Sequence, residues 1–216
     1  MEVTSPRTKV GLSLLEDGSN GVKAVVQRYI SGGLEEEDSA QINACLFTLR
    51  SAVDRLDGTA YFEEAHRALD FAGRVQRVLF RHKCVLRETD GTYYDECPVS
   101  LAHTRVGISA GLIIEESVCS ICNQDSDLCP HIAGREYDGS RCQNIITKVK
   151  ADHVAFVENP DFPDARFTAM SIDYADIVKG FKAIPPPGAL ITCDRCLDTC
   201  TGVNRPFQNN AESPPA

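Results

Sequence analysis

The sequence lacks any run of about 18 apolar residues. Its longest such stretch, 106–114, is half that length and carries Ser109 with two glycines, so no membrane-spanning helix is expected. Residues 1–7 lack the apolar segment of a secretory signal, which makes a cytoplasmic location the expectation. No internal repeat is visible. Positive charge is in deficit: 22 Lys and Arg stand against 31 Asp and Glu, a net charge of −9. Such a chain is not drawn as a whole toward phosphate backbones, so a nucleic-acid role would need a local basic patch. Composition is otherwise ordinary for 216 residues, with 43% hydrophobic and 25% charged, enough for a real core in one or two domains.

What stands out against these absences is ten cysteines without an export signal. Disulfides do not persist in a reducing compartment, so clustered cysteines read first as metal ligands. Cys119-x-x-Cys122 is followed by Cys129-x-His131. A tetrahedral Zn²⁺ takes four sulfur or nitrogen ligands, and a Cys-x-x-Cys turn offers two thiolates from one tight knuckle. Asn123 suits the left-handed backbone that such a turn needs. The four residues make a complete Cys₃His set with no vacant position, which predicts a structural Zn²⁺ worth on the order of 10 kcal/mol of folding free energy. Cys142 competes with His131 for the fourth place. A second cluster, Cys193-x-x-Cys196-x-x-x-Cys200, needs a fourth ligand that its own neighbourhood lacks, since no His follows His153. Cys142, the pair Cys84 and Cys97, or another chain are the candidates for a second Zn²⁺.

The pattern along the chain predicts an α+β protein: an N-terminal antiparallel helical hairpin, then a small, mostly antiparallel β domain with a zinc-organised insertion. Residues 1–34 read as a loose lead-in, with a short helix or strand over 22–30. The hairpin occupies 35–83. Ile42, Leu46, Leu49, Val53 and Leu56 form one apolar stripe, and Phe62, Ala65, Leu69, Ala72, Val75 and Leu79 form another. Asp38 with Gln41 resembles a capping box, and Asp57-Gly58-Thr59 breaks between the helices. The β domain spans 84–184, with the insertion at 117–142. Asp90-Gly91 predicts a two-residue hairpin turn in which Thr89 faces Thr92 and Cys84 faces Cys97 as buried thiols. Residues 98–114 read as one or two strands, followed by short strands at 145–149, 154–157 and 166–172 and a short helix at 174–183. A Pro-rich linker and the last cysteines fill 185–202, and 203–216 reads as a disordered tail.

Catalytic arrangements are sparse. Ser109 sits in Gly107-Ile108-Ser109-Ala110-Gly111, with His103 or His153 as a base, but a nucleophile elbow lies between a strand and a helix, and no helical pattern follows. His66 reads as a satisfied helix histidine and His82 as a partner of the helix dipole. Arg74, Arg77, Arg81 and Lys83 form a candidate basic patch, with charge complementarity toward the acidic start of the preceding helix as the plain alternative.

Gly107-Ile108-Ser109-Ala110-Gly111-Leu112 and Ala151-Asp152-His153-Val154-Ala155-Phe156-Val157, with Pro160, Pro163 and Ala165 beyond, resemble the paired motifs of phage prohead (capsid maturation) proteases, whose barrel is related to herpesvirus assemblins. The likeness covers about 98–172. It implies a barrel with the zinc segment inserted, and His103 at an interval that suits the family's histidine. The family's nucleophilic serine is matched by Ala155, which has no oxygen to attack a carbonyl. The resemblance therefore implies a scaffold, a pseudoenzyme in a phage setting, without protease activity.

Together these readings favour a zinc-stabilised, non-catalytic binding or assembly module with a protein partner, no membrane, and an oligomeric state left open. Two alternatives stand beside it. One is a hydrolase, either serine-protease-like or a His-Asn-His-type nuclease, since Cys-x-x-Cys precedes His131-Ile132-x-Gly134 and another Cys-x-x-Cys follows. The other is a zinc-finger nucleic-acid binder acting through the basic patch.

Overall fold

The structure, a computed structural model, describes residues 5–80, 85–181, 186, 189–193 and 195–206. The chain is α+β and divides into two units, Met1–Gly107 with Val157–Ala216, and Ile108–Phe156.

The first unit is built on three helices, α1 (Pro6–Ile30), α2 (Glu37–Leu56) and α3 (Phe62–Leu79). The expected hairpin of α2 and α3 is present, and both apolar stripes face inward: Ile42, Leu46, Leu49, Val53, Leu56, Ala65, Leu69 and Ala72 are all fully buried. Gly58 closes α2 at φ +77°, the left-handed position expected of it. The lead-in expected at 1–34 is instead a 25-residue helix from Pro6. Ser5 caps it by accepting from the Thr8 amide at 3.1 Å, and Pro6 occupies the first turn, where its missing N–H costs nothing. Its packing face is hard to see in the sequence because three of its contact residues, Gly11, Gly18 and Gly21, are glycines. A Cβ on Gly18 would lie 2.7 Å from Leu49 Cγ, and one on Gly11 would lie 2.8 Å from Leu56, so the absent side chains let α1 lie close on α2. Asp38 and Gln41 act at this junction as well. Arg28 at the end of α1 donates to both, and Asp38 also accepts from the Glu35 amide at 2.9 Å.

After α3 the unit carries a three-stranded sheet ordered β1 (Arg87–Thr89), β2 (Thr92–Asp95) and β7 (Met170–Ile172), all antiparallel. Asp90 and Gly91 both have positive φ, 52° and 78°, and Thr89 pairs with Thr92 as expected. Tyr93, Ile177 and Ile191 form a small second core beneath it. Cys84, expected opposite Cys97, lies outside the described residues, as do His82, Arg81 and Lys83. The stretch expected to be strand from 98 begins instead as a short helix, α4 (Pro98–His103), with Pro98 at its first position. Helix α5 (Tyr174–Phe181) falls where a helix is expected. The tail expected to be loose from 203 is tied at its start: Asn204 donates to the His103 carbonyl at 2.6 Å and accepts from the Arg105 amide at 2.9 Å.

Beneath this arrangement lies a buried ionic network. Asp54 and Asp57, at the end of α2, receive Arg105, Arg166 and Arg205. Arg105 is fully buried and donates to Asp57 at 3.0 and 2.7 Å and to Asp54 at 2.7 Å. Burial works to raise the Asp57 carboxyl, but the surrounding guanidiniums hold it below its ordinary value.

The second unit is a two-stranded ribbon of β3 (Gly107–Cys119) and β6 (Asn144–Val157), with a small hairpin of β4 (Glu136–Tyr137) and β5 (Ser140–Arg141) between them. The two short strands expected at 145–149 and 154–157 are one 14-residue strand. Gly111 lies against His153 while Ser120 bonds Gln143, so the strands run antiparallel. The two stretches that carry the prohead-protease resemblance are thus paired with each other, and no barrel forms among the described residues.

Candidate metal centres

At the far end of the ribbon the chain turns through Cys119-Ser120-Ile121-Cys122. The Asn123 amide donates to the Cys119 carbonyl at 2.8 Å, with Asn123 at φ 59°, the left-handed backbone expected of it. The Ile121 amide donates to Cys119 Sγ at 3.4 Å, and the His131 amide donates to Cys129 Sγ at 3.2 Å. Amides aimed at sulfur favour the thiolate form that a metal needs. Burial raises the Cys119 thiol, yet the amides of Cys122 and Ile121 and the neighbouring thiols bring it down to about 6. Burial, with the neighbouring thiols of Cys119 and Cys122, outweighs the His131 amide and pushes Cys129 up to about 11. The ligand atoms of Cys119, Cys122, Cys129 and His131 all lie within 4.8 Å of one another. Cys129 Sγ is 3.5 Å from His131 Nδ1, and the His131 ring is held edge-on against Tyr137.

Cys142 belongs here too: of the two places the sequence leaves open for it, beside His131 or with the C-terminal cysteines, the structure brings it to the first. Its buried sulfur is 3.7 Å from Cys119 Sγ. The reason is the return of the chain: the Cys142 amide bonds the Arg135 carbonyl at 2.7 Å, which folds the strand after β5 back over the knuckle. His131 and Cys142 are therefore both positioned for the fourth place.

The C-terminal cysteines have different neighbours. Cys193 and Cys196 are neighbours of Cys97: they act on its thiol in opposite senses, and with burial the result is a rise to about 12. Cys196 is seated against α3 at Gly73, where a Cβ would lie 2.6 Å from its sulfur. Of the partners open to this cluster in sequence, Cys97 is one that the structure brings to it.

Cys200 goes elsewhere. The ligand atoms of His66, Asp70, His103 and Cys200 lie within 4.8 Å of one another. His66 and Asp70 are four apart on α3 and so share a face. His103 ends α4. His66 Nε2 and His103 Nε2 are 3.0 Å apart, and Cys200 Sγ is 3.3 Å from the latter and 3.6 Å from the former. Asp70 places one oxygen 3.6 Å from His66 Nε2 and the other 3.3 Å from His103 Nε2. Both rings are 4% exposed. Burial holds the His66 imidazole below its ordinary value against the pull of Asp70. From the sequence alone His66 reads as a satisfied helix histidine. The signal that points to it is His66-x-x-x-Asp70, a pair of donor residues spaced to share one helix face.

The remaining candidates are placed apart from any such cluster. Ser109 sits within the continuous strand β3, with no helix after it, so the nucleophile-elbow geometry is absent. His153 is exposed and hydrogen-bonded to its neighbour Asp152 at 2.9 Å. His103 is committed to His66, Asp70 and Cys200. Arg74 is exposed and Arg77 half-buried on α3, while Arg81 and Lys83 lie outside the described residues.

No protein-family model, curated protein or solved structure matches this chain.

Proposed function

We propose that this protein is a zinc-stabilised, non-catalytic binding or assembly module whose working surface is the β3–β6 ribbon. The observation that carries the reading is a ribbon with a dense donor cluster at its tip and an uncovered apolar face along its length. His153 lies over Gly111, which puts Ile108, Leu112, Ile114, Val154 and Phe156 on the opposite face. Leu112 and Ile114 are each 56% exposed, Val154 69% and Phe156 64%. A two-stranded ribbon is marginal alone, and contiguous exposed apolar surface on this scale marks a surface that another molecule covers. Zn²⁺ bound by Cys119, Cys122 and Cys129 with His131 or Cys142 supplies the stability that the ribbon's own packing lacks.

The partner is a protein, since an aliphatic and aromatic strip on a chain of net charge −9 offers little to a phosphate backbone. The likeness of the two strands to prohead proteases, with Ala155 where the nucleophile would stand, supports a scaffold in preference to an enzyme.

Photoreactive residues placed singly at Leu112 and Phe156, with Phe71 on α3 as control, test this in cells that make the protein. The expected result is a discrete protein adduct from both ribbon positions, lost when Cys122→Ser is added and never formed from Phe71. Ribbon positions that give no discrete adduct, or the same adduct as Phe71, overturn the reading.

A further inference from the structure

We infer that His66, Asp70, His103 and Cys200 form a second Zn²⁺ site, separate from the ribbon, that clips the C-terminal segment to the helices.

His103 Nδ1 lies 2.7 Å from the Val99 carbonyl, which can only accept. Nδ1 therefore carries the ring's proton, and the Nε2 lone pair points inward. The same point receives His66 Nε2, a carboxylate that brings no proton, and a sulfur. Hydrogen bonding alone has one N–H from His66 and one S–H from Cys200 to share among all the close pairs in the cluster. With the His103 ring neutral, the 3.3 Å approach of Asp70 to its Nε2 sets two lone pairs against each other. A cation at the centre satisfies all four donors at once. The Val99 carbonyl behind His103 is the kind of outer partner that fixes a ligating imidazole's tautomer.

The distances fit the ion. Zinc bonds of about 2.0–2.1 Å to nitrogen or oxygen and 2.3 Å to sulfur give tetrahedral edges of about 3.3 Å and 3.6 Å respectively. The observed N–N, N–O and N–S separations run from 3.0 to 3.6 Å. Two imidazoles, one carboxylate and one thiolate are borderline donors that suit Zn²⁺ better than Ca²⁺ or Mg²⁺. A cleft lined by Asp70, Arg74, His103, Arg195, Thr199 and Cys200 gives the ion a way in.

The role follows from where the ligands come from. His66 and Cys200 are 134 residues apart in sequence, with the whole ribbon unit between them. Three ligands stand on helices that already have a hydrophobic core, and the fourth is the exposed Cys200 on the returning segment. Asn204 and Arg205 dock just beyond it, so the metal closes a long loop onto a surface prepared to receive it.

The test uses the full chain stripped of metal and titrated with Zn²⁺ and with Co²⁺, in the wild type and in a Cys122→Ser/Cys129→Ser background that removes the ribbon site. In both backgrounds His103→Gln is expected to lose one metal equivalent. Cys200→Ser is expected to lose the charge-transfer absorption of a single thiolate on Co²⁺ and to speed proteolysis of the 195–206 segment. Should His103→Gln fail to fold, the exposed Cys200→Ser change decides alone. Unchanged metal content and an unchanged Co²⁺ spectrum in Cys200→Ser overturn the inference. A ribbon that binds no metal removes only the ribbon-site reading, because the background variant reports on this site independently.

Discussion

Asp57 offers the sharpest stability test of the fold. Its side chain is 1% exposed and accepts from Arg105 at 3.0 and 2.7 Å, from Arg166 at 3.3 Å and from Arg205 at 2.7 Å. Asp57→Asn keeps the shape and removes the charge. Asp54 is then left to neutralise Arg105, Arg166 and its own helix neighbour Arg50. Breaking a buried ion pair from one side costs about 3–5 kcal/mol, because the surviving charge stays out of water unmatched. At roughly 2–4 °C per kcal/mol for a chain of this size, the melting temperature should fall by about 6–20 °C. Thermal unfolding followed by circular dichroism at neutral pH and moderate salt reads this directly. Adding Arg105→Met to Asp57→Asn should recover part of the loss, since it removes the guanidinium that was stranded. A coupling of at least about 1 kcal/mol is expected from that double-mutant cycle. Asp57→Asn melting within about 2 °C of the wild type, a change worth less than about 1 kcal/mol, refutes the reasoning.

The same network sets an acid limit. The Asp57 carboxyl is depressed in the folded state, so its contribution is complete above the unfolded value of about 3.9 and disappears as pH falls through the lower folded value. The difference in melting temperature between the wild type and Asp57→Asn should be constant from neutral pH down to about 5 and shrink below about 4, and a difference that grows on acidification contradicts this. Chelation of the Zn²⁺ proposed for the ribbon should at neutral pH expose the amides of Ile108–Phe156 to hydrogen exchange while α1, α2 and α3 keep their protection, and equal loss across both units counts against it. Gly18→Ala should destabilise despite alanine's helix preference of about 1 kcal/mol, because the new Cβ meets Leu49 Cγ at 2.7 Å, and a raised urea midpoint is the contrary result. A fluorophosphonate probe should leave the protein unlabelled, and labelling abolished by Ser109→Ala would restore the protease alternative.

Where the sequence was legible, one short-range pattern governed the outcome. The stripes of α2 and α3, the Asp90-Gly91 turn and the Cys119-to-His131 grouping each lie within a window of twenty residues or so, and each is decided by spacing alone. Helix α1 escaped because its contact face is partly glycine: Gly11 and Gly18 pack by having no side chain, which a hydrophobicity pattern reads as loop. Helix α4 escaped because six residues starting at proline are too few to show a period. The division of the last cysteines among separate partners was out of reach for a different reason. Cys97 lies on the β2–α4 connection and His66 on α3, and which of them a distant cysteine meets depends on how the returning chain is laid across the helices.

That return path is itself specified by charge. Arg105 stands two residues before β3, Arg166 lies nine residues after β6, and Arg205 lies beside Cys200 in the tail, yet all three converge on the same acidic turn at the end of α2. Apolar packing could not have imposed this, since buried hydrophobic contacts are exchangeable while a buried guanidinium without its carboxylate is prohibitive. Fixing Arg105 and Arg205 brings His103 and Cys200 within reach of each other, because Asn204 bonds the backbone of both His103 and Arg105. The ion-pair network thus prearranges the His66, Asp70, His103 and Cys200 donors without any metal. The consequence is testable: Arg205→Ala, which leaves every donor in place, should weaken Zn²⁺ binding at that cluster and leave the ribbon's affinity unaltered. Equal affinities at both sites in Arg205→Ala and the wild type would mean that the donors assemble without the network's help.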